Sequence, residues 1–239
     1  MKLLKSSSAL KADAKELLLG KYKTAVLAYV IMEVVITGIL SLIEIQVNLQ
    51  TSAGLLLYYA VYFIVLLLSA VFVAGQNYLY LNIYREKPFE TGNIWFGFRT
   101  CADRAIIAYL MIFGKTLLFS IPCMIATGMM MTSKNYYLAL LVGACAVFMI
   151  IGVTCVQLDY SQVFYLVLDC PELTPRQLLA QSRSMMRGHR GSYLYLIISF
   201  IGIYLLGALT FGIGMLWIHP YVTATKTGYY LELTKEKQA

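Results

Sequence analysis

The chain has 239 residues, 60% hydrophobic and only 13% charged, with a formal net charge of +7; its mean hydropathy is +0.72. A soluble domain carries about 25% charged residues, so this composition excludes a water-soluble globular domain and makes lipid the solvent. The positive excess points to an acidic membrane face, not to nucleic acid, because Lys and Arg flank the apolar segments and no nucleic-acid recognition fold accompanies them.

Residues 1–20, MKLLKSSSALKADAKELLLG, read as an in-plane amphipathic helix. Ser8 is the expected cap, Leu10, Ala14, Leu17 and Leu18 share one face, Lys11 and Lys15 take another, and Gly20 ends it. A cleaved signal peptide fits less well, since the following apolar run is too long and no small-x-small site precedes polar sequence. Six spans are then expected, at about 24–45, 54–84, 105–131, 136–168, 192–210 and 211–233. The first five supply the roughly 20 residues that cross a hydrocarbon core of about 30 Å. In lipid they must be helical, because every backbone group needs an internal partner. The last span is weaker; it holds Pro220 and Lys226, and a half-span or interfacial helix is the alternative. The expected fold is all-α: one polytopic membrane domain of about six transmembrane helices.

Basic residues set the direction. Lys2, Lys5, Lys11, Lys15, Lys21 and Lys23 precede the first span. Arg85, Lys87, Arg99 and Arg104 lie in the connection 85–104, Arg176, Arg183, Arg187 and Arg190 in the connection 169–191, and Lys226, Lys235 and Lys237 in or after the last span. With six spans these fall on one side, opposite Lys134 alone, with Lys115 inside the third span. The positive-inside rule then places both termini in the cytoplasm of a multi-pass protein of the cell membrane. Tyrosines near span ends, among them Tyr78, Tyr84, Tyr136 and Tyr193, suit an aromatic belt.

The two connections echo each other at an offset of 83 residues: Glu86 meets Asp169, Pro88 meets Pro171, Thr91 meets Thr174, Arg104 meets Arg187, and upstream Gln76 meets Asp159. The expected unit is a long helix, an amphipathic elbow and a transmembrane helix, duplicated in parallel; chance coincidence of a proline and an acid is the competing account. In the second elbow Thr174 is a good cap and Pro175 suits the first helical position. Arg176, Arg183 and Arg187 then form a stripe beside an apolar face of Leu178, Leu179, Met185 and Met186, and Gly188 ends the helix. Arg104, Arg176, Arg183, Arg187 and Arg190 are the candidates for lipid head groups or for anchoring at the anionic inner leaflet. His189 reads as a solvated interfacial residue.

Ionisable residues within spans are costly and candidates for function. Glu33, Gln76, Asn77, Lys115 and Asp159 are expected to form one intramembrane polar layer, with a Glu33–Lys115 pair at its centre. It is either a substrate or proton path or, the favoured reading, a structural network fixing helix register; Gln76 and Asp159 reach the interface instead if their long helices project past the bilayer. The five cysteines and the glycines of the last span read as packing residues. No nucleophile–base set, Walker loop or zinc motif is present, so neither an enzyme nor a cofactor or metal site is expected.

The segment SRSMMRGHRGSYLYLIISFIGIYLLGALTFGIGMLWIHPYVTATKTGYYLEL carries a resemblance. It resembles a Gram-positive integral membrane family known only as domain of unknown function nine-seven-five. That family shows a Ser-x-x-Met-Met-basic-Gly segment, here Ser182 to Gly188, and a Ser-Phe-Ile-Gly run, here Ser199 to Gly202. It also shows Thr-x-Gly-Ile-Gly-x-Leu-Trp-x-x-Pro-Tyr, here Thr210 to Tyr221, and a late aromatic-Tyr, here Tyr229 and Tyr230. The chain departs at Ile203 and Tyr204, where the family often has tryptophan. The resemblance implies the topology and a Firmicutes-like source, and it assigns no catalytic residue. In layout the chain is also loosely similar to the six-span domain beside some glycerophosphodiesterases. The expectation is a membrane protein that organises or regulates lipids, a protein partner or copies of itself; the alternative is a small transporter or an exporter or immunity component.

Overall fold

The structure is a computed structural model that describes residues 5–132 and 137–238. Lys2, Lys134 and Tyr136, to which the charge and belt patterns also appealed, lie outside the described residues, as does the Lys237 side chain. Every regular element among the described residues is a helix. They are α1 Ser7–Leu18, α2 Tyr22–Gln46, α3 Ser52–Tyr84, a 3-10 turn Thr91–Trp95, α4 Phe96–Thr100 and α5 Ala102–Thr132. After these come α6 Tyr137–Asp159, α7 Val163–Asp169, α8 Pro175–Met186, α9 Arg190–Ile198, α10 Ile201–Leu209 and α11 Met215–Gln238. The path runs up through α2, down α3, up α5, down α6 and α7, up α9 and α10, and down α11. Near the two termini, Lys5 and Asp13 line one pocket with Glu232 and Lys235, so both described ends of the chain sit at the same end of the bundle.

Burial is graded along the bundle, and the gradient separates two regions. At the far end Leu55, Leu56 and Ile64 of α3, Ile121 and Met124 of α5, and Leu140 and Phe148 of α6 are exposed. At the near end Leu79, Tyr80, Leu81 and Ile83 of α3 and Val163, Leu166 and Val167 of α7 are buried. An apolar surface this extensive does not face water, and five helical segments are long and apolar enough to cross a membrane. The chain is a multi-pass membrane protein with an open, lipid-facing end and a protein-packed end. The sixth helix, α11, is not among those five segments. Its middle packs inside the protein instead, with Val222, Ala224, Thr227, Tyr230 and Leu233 buried, which is why the last stretch tolerates so many polar residues.

Two spans expected to be continuous are broken, and protein side chains satisfy the freed backbone. The fourth breaks at residues 160–162 between α6 and α7; there Ser182 Oγ donates to the Asp159 carbonyl at 2.7 Å. The fifth breaks at Ser199 and Phe200 between α9 and α10, and Lys11 Nζ donates to the Ser199 carbonyl at 3.0 Å. The same ammonium lies 4.3 Å from the Phe200 ring centre, and burial lowers its pKa. The first helix therefore docks on protein, its Leu10, Ala14 and Leu18 face buried. Its cap is Ser6, whose hydroxyl accepts from Ala9 N–H at 3.3 Å, and not Ser8.

The two elbows share chain direction and differ in form. The second is the expected amphipathic helix: Gln177 Oε1 accepts from both the N–H (2.9 Å) and the hydroxyl (2.8 Å) of Thr174, and Gly188 beyond the helix has φ +83°. The first is a 3-10 turn and one short helix, preceded by Glu90 and not capped by Thr91. It folds back along α3, where glycines permit backbone contact: a Cβ on Gly75 would lie 1.9 Å from the Ile94 carbonyl oxygen, and one on Gly97 2.3 Å from that of Val71. Tyr78 stacks on Phe96 at 3.7 Å beside them.

Alanine in place of glycine inside a helix normally stabilises it by up to about 1 kcal/mol. Gly75→Ala has the opposite sign here, lowering stability by about 1–3 kcal/mol through overpacking against the first elbow. Thermal unfolding of the detergent-solubilised protein measures it; an unchanged or higher midpoint contradicts the close contact.

Candidate functional site

The break in the fourth span places Asp159 where α6 ends, its side chain only 10% exposed. An isolated carboxylate there is unfavourable both for burial and for the helix C-terminus. Two arginines offset it: Arg190 at the start of α9 has Nε 2.5 Å from Oδ1, and Arg183 on α8 has Nε 3.5 Å from Oδ2. The first contact is an ion pair without hydrogen-bond geometry, since both atoms lack a hydrogen-bond partner. One carboxylate thus joins the ends of three helices.

This junction presents a groove on its outer side. The groove, about 360 Å³, is lined by Lys115 from α5 and by Arg176, Arg183 and Arg187 along α8, with Leu179 and Tyr160. No carboxylate lines it. The three arginines are exposed, while Leu178, Leu179, Met185 and Met186 hold the other face of α8 in the core. Lys115 donates to the Tyr160 hydroxyl and lies 4.2 Å from that ring's centre. Its charge has a hydroxyl and a π face for neighbours, and no ion pair among the described residues neutralises it.

The expected polar layer is thereby divided. Glu33 is exposed on α2, beside the Tyr29 hydroxyl one turn earlier, and does not meet Lys115. Depth counted from the start of α5 misplaces Lys115, because the first turns of α5 pack along α8 and the elbow; the lysine belongs to the edge of the packed end. Arg104 also stands apart from the groove. It donates to the Pro171 carbonyl at 2.7 Å and the Cys170 carbonyl at 3.4 Å, tying α5 to the turn before α8. Arg85 does the equivalent for α3, with bidentate bonds of 2.9 and 2.7 Å to Asp169 that raise its pKa. Tyr230 donates to the same carboxylate at 2.9 Å. Far from being solvated, His189 faces Glu236 at 3.4 Å, and its carbonyl accepts from Tyr229 at 3.1 Å.

Gln76 and Asn77 lie in a second place. They line a half-open cavity of about 530 Å³ together with His219, Thr223 and Lys226 of α11 and with residues of α5, α6, α7 and α9. The sequence marks Lys226 as a topological charge in a weak last span and gives His219, one of two histidines, no role. The missed signal was their spacing of seven residues, two helical turns, which puts both on one face of α11. Tyr160 lines both the groove and the cavity. No group of three or more metal-ligating side chains occurs among the described residues.

A family model described as "Protein of unknown function (DUF975)" matches residues 1–237, and the chain belongs to that family. No curated protein and no solved structure matches the chain.

Two outcomes test this geometry. Asp159→Asn lowers stability by about 1–3 kcal/mol in chemical or thermal unfolding, less than a fully buried pair because its arginines are half-exposed; no loss contradicts the three-helix junction. In a double-mutant cycle, Lys115→Leu and Glu33→Gln are additive within about 0.5 kcal/mol, whereas a larger coupling restores the intramembrane pair.

Proposed function

We propose that this DUF975 protein is a non-enzymatic membrane protein that binds acidic lipid head groups at its packed end and so organises or regulates the surrounding inner leaflet. The observation that carries the reading is the groove of Lys115, Arg176, Arg183 and Arg187 with no carboxylate in its lining. Guanidinium groups recognise phosphate oxygens in paired, directional contacts. Leu179 and Met111 in the same lining suit the glycerol and upper acyl region of a lipid. The apolar face of α8 is spent on the protein core, so its basic face is left for the membrane surface.

The positive-inside argument supports putting this end, and both termini, in the cytoplasm of a cell membrane. Acidic lipid on that leaflet attracts each basic residue near the surface by about 1 kcal/mol. The half-open cavity at Gln76 and Lys226 favours transport as a second reading, for which anion flux through proteoliposomes is the measurement.

Native mass spectrometry of protein released from mixed micelles of phosphatidylglycerol and phosphatidylcholine tests the reading. Wild type retains phosphatidylglycerol selectively. The R176Q/R183Q/R187Q variant loses affinity roughly 100–200-fold, the equivalent of about 1 kcal/mol from each arginine. Equal retention of both lipids by wild type, or undiminished selectivity in the variant, contradicts it.

A further inference from the structure

The half-open cavity at Gln76 and Lys226 differs from the groove in its lining, with only Tyr160 in common. Its walls carry one full positive charge, Lys226, and no carboxylate is among its lining residues. No ion pair or hydrogen bond engages the Lys226 ammonium among the described residues. Beside it, donors stand ready without protein partners. Gln76 is 4% exposed, and its Nε2 has no hydrogen-bond partner. Asn77, the next residue, is 5% exposed. His219 is held by stacking on Tyr29, ring centres 4.1 Å apart, and its Nδ1 is also buried and unpartnered.

Buried polar groups are nearly always satisfied, and leaving one unmade costs about 1–3 kcal/mol, more for a charged group. Two such atoms, Gln76 Nε2 and His219 Nδ1, belong to residues that line one cavity with the Lys226 ammonium, a polar set suited to an oxyanion. The cavity volume lies within the range of about 300–1,000 Å³ typical of small-molecule sites. Val73, Ile112 and Leu194 supply the apolar part of the wall.

We propose that this cavity binds a monoanionic amphiphile: a single oxyanion, carboxylate or phosphodiester, set against Lys226 and Gln76, with its apolar body among the aliphatic side chains. One cation matches one negative charge, whereas a multiply charged anion would leave charge unpaired inside the protein. The site is separate from the groove, whose arginines do not line it. The same oxyanion chemistry is available from a bilayer phospholipid or from a free carboxylate amphiphile.

Thermal stability of the full chain in a neutral detergent distinguishes these sources, with decanoate, phosphatidylglycerol and inorganic phosphate added in turn to wild type, K226M, Q76L and R176Q/R183Q/R187Q. The expected result is that decanoate or phosphatidylglycerol raises the wild-type midpoint, decanoate marking a free amphiphile and phosphatidylglycerol a lipid source. Inorganic phosphate, lacking an apolar body, does not. The shift falls at least tenfold in apparent affinity in K226M and weakens in Q76L, and it persists in the triple arginine variant. K226M without ligand is at least as stable as wild type, since it removes a half-buried charge that has no ion pair among the described residues, so loss of the shift is not loss of the fold. The proposal is overturned if neither amphiphile shifts wild type or if K226M responds as wild type does. It is equally overturned if the shift vanishes only in the triple arginine variant, an outcome that assigns the binding to the groove.

Discussion

The packed end depends on one buried carboxylate. Asp159 sits where the fourth span stops, and its contacts with Arg183 and Arg190 hold α8 and α9 against α6. Its own carbonyl takes the hydroxyl of Ser182, one residue before Arg183. Main chain and side chain of the same residue therefore receive consecutive residues of α8. This registers the helix so that its leucines and methionines face inward and its arginines face outward. Without that registration the basic stripe is a set of separate charges; with it, the stripe becomes the wall of a groove closed by Lys115.

Membrane helices break only where something else meets the released backbone groups. Both breaks follow that rule with partners distant in sequence: Ser182 for the fourth span and Lys11 for the fifth. The breaks also explain the cavity. Tyr160 and Ser161 from the first break line it, and so do Leu194 and Ile197 from the helix leading to the second. The polar face of α11 fills the space between. That helix holds Lys226 and His219 half-buried, because α1, α2, α3 and α10 pack along it. Its low apolarity follows from that interior position.

Much of this was legible in the sequence, for identifiable reasons. Long apolar runs fixed the bounds of α2, α3 and α5 to within a few residues, since lipid imposes both length and helicity. Thr174 followed by Pro175 announced the start of α8, and the stripe of arginine beside leucine and methionine announced its two faces. Other features were hidden because they are set by tertiary contact. The break at residues 160–162 has no proline or glycine to mark it. The back-folded first elbow rests on Gly75 and Gly97, which look in sequence like ordinary small residues of membrane helices. Depth failed for Lys115 because helix length overstates membrane depth when the lower part of the helix is wrapped in protein. The groove could be anticipated from the arginine stripe, although its fourth cation was assigned to the wrong neighbour. The cavity required knowing that α11 lies inside.

Charge is distributed to match this division. Arg85 and Arg104 are spent on Asp169 and on the Cys170 and Pro171 carbonyls, and Arg190 on Asp159; these hold the elbows together. Arg176 and Arg187 have no such structural partner, and Arg183 shares Asp159 at the longer distance of 3.5 Å. The proposed function requires Arg176, Arg183 and Arg187 to lie at the level of lipid phosphates. A fluorophore attached at Arg187→Cys in a background lacking the five native cysteines, reconstituted with nitroxide-labelled lipids, measures that level directly. The account predicts strong quenching by head-group nitroxides and weak quenching by mid-chain nitroxides, with the reverse pattern for a label at Ile121→Cys. Quenching of the Arg187→Cys label by neither, or mainly by mid-chain nitroxides, would contradict it.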